Sequence, residues 1–157
     1  MTRAETIAVI TLAGDVASRR LPPEHRGTCN ATAIHEAAHC IVALRLGVVP
    51  VRAVLHADGG GATEFATAAS QGPRLSDYER ARAVALIATP EASARDRCLW
   101  LARMQCRAVG LVNKHWQRIL TLGALLHRRG ELRREEILAL GPSRPIPASG
   151  GTIARCD

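Results

Sequence analysis

The chain has 157 residues, 47% of them hydrophobic and only 3% aromatic, with a formal net charge of +7. That length allows one domain with a real core, and the charge is too small to force disorder. The longest apolar run near the start, Thr6 to Ala13, is too short to span a bilayer and lacks the features of a secretory leader, so no membrane segment is expected.

Trp100, Trp116, Tyr78 and Phe65 are the sole aromatic residues, so the core must be built from Ala, Leu, Val and Ile, which suits packed helices. Lys114 is the single lysine, and the arginines are scattered apart from short pairs such as Arg19-Arg20 and Arg133-Arg134. No basic stripe is interleaved with aromatics, so a nucleic-acid partner is not expected. The five cysteines (Cys29, Cys40, Cys98, Cys106 and Cys156) are odd in number and form no CxxC pair. They read as reduced thiols in a cytoplasmic protein.

Residues 3–20 read as a helix with an apolar face near Ile7, Ile10, Leu12 and Val16. Pro22 and Pro23 then impose a turn. Residues 31–46 form the strongest helical pattern, capped by Asn30 or Thr28 and closed by Gly47. Residues 51–56 read as a strand, with a partner at residues 62–65 across Gly59-Gly60-Gly61. Residues 66–75 read as loop. Ser76-Asp77-Tyr78-Glu79 is a capping box that starts a helix to about Ala88. Thr89-Pro90-Glu91 predicts a new helix start running to about Ala108, and a further helix runs from beyond Gly110 to His127. After Gly130, residues 131–140 read as a short last helix, and residues 141–157 as a disordered tail. The expectation is one α+β, mostly helical domain over residues 1–140.

His35-Glu36-Ala37-Ala38-His39 carries the chemistry. On a helix, residues four apart share a face, so both imidazoles can reach one metal ion. Zinc accepts such nitrogens at about 2.0–2.1 Å. Glu36 stands beside such an ion rather than on it. There it can act as general base toward a zinc-activated water and return the proton to a leaving amine. Ala37 and Ala38 leave the site uncrowded.

The segment Ala33-Ile34-His35-Glu36-Ala37-Ala38-His39-Cys40-Ile41-Val42-Ala43-Leu44 resembles the active-site helix of FtsH-type zinc peptidases. Pro50–Leu55 and Gly60–Phe65 are similar to the strand and glycine-rich turn that come after that helix in the family, and Ser76–Ala83 and His115–Ile119 resemble small stand-alone relatives. The resemblance covers about residues 30–140. It implies a Zn2+-dependent metallopeptidase acting on a peptide or an unfolded protein. No G-x-x-x-x-G-K-[ST] motif occurs, so ATP binding by this chain does not carry over. The family helix with an Ala-Gly-x-x-Ala-Glu signature has no room within residues 66–75. Residues 4–20, with Leu12-Ala13-Gly14, look like that helix moved to the N-terminal side.

A catalytic zinc takes three protein ligands and keeps one open position. In the family the third is an aspartate opening a later helix, which implies Asp77, with Asp96 as the alternative and Glu64 and His56 behind them. His115, His25 and His127 read as packed or solvated, Cys40 as core, and Cys29 as a ligand only if its loop folds back. The expected reaction is peptide-bond hydrolysis with Glu36 as base, and a strand edge would hold the extended substrate. The alternative is an inactive zinc-peptidase-like interaction module. Natural substrate and oligomeric state are not legible.

Overall fold

The computed structural model describes residues 1–26, 29–66 and 75–140. The expected loop at residues 67–74, the Thr28 cap and the tail at residues 141–157 lie outside them. Among the described residues the fold is six helices and one small three-stranded antiparallel sheet, as the mostly helical α+β expectation requires.

Helix α1 (Arg3–Arg20) opens on a complete capping box between Thr2 and Glu5. Its buried residues Ala8, Val9, Ile10, Leu12, Ala13, Gly14 and Ala17 spread around most of its circumference. It therefore packs against several neighbours at once: α2 (Cys29–Arg45), α3 (Asp77–Ala88) and α4 (Ala94–Lys114). A short 3-10 turn at Pro23–His25 comes next. Asn30, expected to precede α2, lies within it.

Helix α2 is the centre of the molecule. Every residue from Ala33 to Ala43 is buried except His35, so α2 has no solvent face. It is enclosed by α1, α5 (Trp116–Arg129) and the sheet. A Cβ on Gly123 would stand 2.9 Å from Ile34 Cγ1 and 3.1 Å from its Cα, so this glycine lets α5 pack tightly against α2. Gly47 and Gly130 take positive φ of 79° and 74°, as their positions beyond helix ends predict.

Strand β1 (Pro50–Leu55) pairs with β2 (Gly61–Phe65) in the expected hairpin, with Ala53 opposite Thr63. The sheet order is β2-β1-β3, where β3 is Glu131–Arg133. β2 is thus an edge strand. Its turn is fixed to α2 by Thr32 Oγ1, which donates to the Gly59 carbonyl at 2.9 Å.

Three expectations are corrected. Thr89 closes α3, its amide bonding to the Ala85 carbonyl, and α4 begins at Ala94 with Ser93 as its cap. Ser93 Oγ accepts from the Asp96 amide at 3.1 Å and donates to Asp96 Oδ2 at 2.7 Å, a closer cap than Thr89 can offer. Helix α4 also runs straight through Gly110 to Lys114, because the burial of Leu101, Met104, Ala108 and Val112 outweighs a cost of about 1 kcal/mol for one helical glycine. Residues 131–140 are not all helix: β3 pairs with β1 before α6 (Arg134–Leu140) begins.

Candidate metal centre

Two helix features bring the site together. His35 and His39 lie one turn apart on α2, and Asp77 is the first helical residue of α3. A side chain there projects past the end of the helix. Asp77 Oδ2 lies 2.9 Å from His35 Nε2 and 3.0 Å from His39 Nε2. The three donor atoms lie within 4.8 Å of one another. Tetrahedral zinc with bonds of about 2.0–2.1 Å sets ligand atoms about 3.3 Å apart, so each of the two Asp77–imidazole separations is within a few tenths of an ångström of that value.

The protonation pattern bears on whether this set suits a metal. His39 Nδ1 lies 2.8 Å from the Ile10 carbonyl, which can only accept, so Nδ1 carries the proton. In a neutral ring, Nε2 then presents a lone pair to Asp77 Oδ2. Asp77 Oδ2 is itself buried and has no hydrogen-bond partner among the described residues. Two lone pairs facing each other at 3.0 Å need a cation, either a proton on the imidazole or a metal ion among the three atoms. The pull toward positive charge is strong. Burial works against the charged form of His39, yet Asp77, aided by Glu36 and the Ile10 carbonyl, raises its pKa to about 9. Burial likewise opposes ionisation of Asp77, and the two imidazoles overcome it, holding the carboxyl well below the usual carboxylate range.

Helix α1 shapes the other wall. His35 Nδ1 contacts Ser18 Oγ at 3.1 Å. Ile10, Gly14 and Ser18 are spaced by four, so they form one stripe of α1 facing the histidine pair on α2. A Cβ on Gly14 would fall 2.5 Å from both His35 Nε2 and His39 Nε2. Only glycine leaves the room these nitrogens border. Each imidazole thus has a partner on α1 for its Nδ1, which turns its Nε2 toward the centre.

Glu36 is 6% exposed and is not among the converging donors. Thr63 Oγ1 on β2 donates to Glu36 Oε2 at 2.7 Å. A Cβ on Gly61 would stand 2.8 Å from Glu36 Cγ, so this glycine makes room for the carboxylate. Two clefts, of about 440 and 660 Å3, open beside His35 and Glu36 and share Asp15 and Gly61 in their walls. The larger runs along β2 from Gly61 to Phe65 and reaches Asp77.

The structure brings His35, Glu36, His39 and Asp77 into one place and leaves the other candidates elsewhere. Asp96 serves the cap of α4. Glu64 pairs with Arg52 at 2.8 Å on the cleft wall, and His56 lies in the hairpin turn beside the same cleft. Cys40 is fully buried, and burial pushes its thiol up to about 12, so it is core rather than ligand. His115 is buried at the α4–α5 junction, and His127 is exposed on the last turn of α5. The side chain of Cys29 lies outside the described residues. Among the described residues no helix is long and apolar enough to cross a membrane. Comparison with protein-family models, curated proteins and solved structures gives no match to this chain.

Proposed function

We propose that this chain is a zinc-dependent metallopeptidase of the FtsH-like type, with His35, His39 and Asp77 as metal ligands and Glu36 as general base. The observation that carries the reading is the approach of His35 Nε2 and His39 Nε2 to Asp77 Oδ2, a buried oxygen with no hydrogen-bond partner assigned among the described residues, with Gly14 leaving space beside them. Two imidazoles and one carboxylate are a donor set that suits zinc and leaves a fourth position for substrate or water. When bound, the ion supplies Lewis acidity that acidifies water and polarises the scissile carbonyl.

The rest is work for the chain itself. Glu36, held by Thr63, takes the proton of the attacking water and hands it to the departing amine. The outer edge of β2, unpaired among the described residues, offers backbone groups to an extended peptide laid in the larger cleft. The test is metal content and peptide hydrolysis of wild type beside H35A and E36Q. The expected result is about one zinc per wild-type chain, metal loss in H35A, and retained metal with lost hydrolysis in E36Q. Wild type that binds zinc yet hydrolyses no peptide favours an inactive interaction module.

A further inference from the structure

One charged group beside the reacting centre takes no part in metal binding or proton transfer. Asp15 is the next residue after Gly14, so its Cα is about 3.8 Å from the residue that borders both ligand nitrogens. Its half-buried side chain lines both clefts. Among the described residues it makes no hydrogen bond or ion pair. Arg19 stands one turn further along α1, an arrangement that ordinarily pairs, yet no ion pair joins the two. Arg26, in the wall of the smaller cleft, commits its Nε to the Leu21 carbonyl and its Nη2 to the Arg19 carbonyl.

We propose that Asp15 is a specificity-determining residue that selects peptides carrying a lysine or arginine side chain beside the scissile bond. The proposal rests on the peptidase reading and adds the substrate class. A carboxylate within a side chain's length of the reacting centre, and without a partner among the described residues, gains a charge-assisted hydrogen bond when a cation arrives. That cation could be a basic side chain or the α-ammonium of a free N-terminus. Both clefts border Asp15, His35 and Glu36, and their linings extend to different residues beyond them, so there is room for more than a chain end, which favours the side chain.

The experiment measures binding of a labelled, N-acetylated peptide to the zinc-loaded full chain with E36Q, so that nothing is cleaved. Lysine is compared with acetyl-lysine at the position next to the intended scissile bond, with and without D15N. The lysine peptide should bind E36Q about tenfold more tightly than its acetyl-lysine twin, and D15N should bring that ratio to about one. An equal ratio in E36Q, or a ratio that survives D15N, overturns the proposal. So does an Asp15-dependent preference that appears only when the peptide N-terminus is free, since the ligand is then the α-ammonium. Hydrolysis of a neutral peptide by wild type is scored separately and reports on the peptidase reading alone.

Discussion

The Ile10 carbonyl accepts a hydrogen bond from His39 Nδ1 at 2.8 Å, which turns His39 Nε2 toward Asp77. A helix-interior carbonyl has a second lone pair to offer, so α1 can make this contact without giving up its own ladder. Ser18, two turns further along the same stripe, holds His35 in the same way, with Gly14 between the two contacts. Helix α1 therefore shapes the candidate metal centre although it supplies none of the three converging donor atoms.

This gives Gly14 a sharp prediction. In G14A the new methyl would meet both Nε2 atoms at 2.5 Å, and the rings must swing away. Zinc affinity should fall by tenfold or more. The metal-free protein should also lose about 1–3 kcal/mol of stability, because crowding the buried His39 ring outweighs the better helix propensity of alanine. Calorimetric zinc titration together with melts in chelator checks both. A folded G14A that binds zinc like wild type contradicts the role given to Gly14.

Asp77 and Asp96 both open helices but have different work. D77N should weaken zinc binding by about tenfold or more, since it removes the one anionic ligand. D96N touches only the α4 cap and should leave zinc affinity unchanged. Metal content after dialysis against a weak chelator separates them. Equal losses in the two variants would remove Asp77 from the ligand set.

The local parts of this site are legible in the sequence because they are local. His35, Glu36 and His39 lie within one helical turn, and Ser76 with Glu79 marks the start of α3 without reference to the rest of the fold. Joining Asp77 to the histidines takes the family resemblance, since nothing in the spacing predicts it. Ile10, Ser18, Thr63 and Asp15 escape sequence reasoning, because each acts across a tertiary contact. One signal is present: Ile10, Gly14 and Ser18 repeat at the same interval of four as His35 and His39, so the two stripes can lie side by side. Strand β3 is hidden for a similar reason. Glu131-Leu132-Arg133 is too short to show a period and becomes a strand only when β1 pairs with it.

Helix α1 contacts three helices and buries Val9, Ile10 and Leu12, so it belongs to the core. Deleting residues 1–20 should abolish cooperative folding rather than trim an appendage. Circular dichroism and thermal melts of the truncated chain decide it. A truncated protein with a sharp melting transition would show that α1 is dispensable.

His115 predicts a pH effect on stability away from the metal centre. It is buried, and its Nε2 has no partner among the described residues. Burial lowers its pKa, and Arg45 on α2, Arg118 on α5 and neighbouring Lys114 lower it further. The unfolded chain, with an ordinary value of about 6.5, then takes up the proton first. Stability should fall as pH drops through about 6.5 and level off below the folded value. Urea unfolding at pH 7.5 and 5.5 should show a smaller loss for H115Q than for wild type. An identical pH dependence in both would exclude His115 as its source.

Thr63 offers the most direct test of the proposal that Glu36 is a base. Its hydroxyl donates to Glu36 Oε2 at 2.7 Å and also lies 3.3 Å from the Glu36 carbonyl, so one side chain fixes both the carboxylate and its helix. T63V keeps the shape and removes the donor. It touches none of the three converging donor atoms, so zinc content should stay at the wild-type level. The carboxylate would lose its fixed direction toward the attacking water, and kcat should fall by about tenfold. KM should change little, since the hydroxyl is directed at Glu36 and not at the peptide. T63S restores the donor without the methyl and should recover most of the rate. If T63V and T63S lose the same activity, packing of the methyl is what matters. If T63V instead raises KM at unchanged kcat, Thr63 acts on substrate binding and its link to Glu36 carries no catalytic weight.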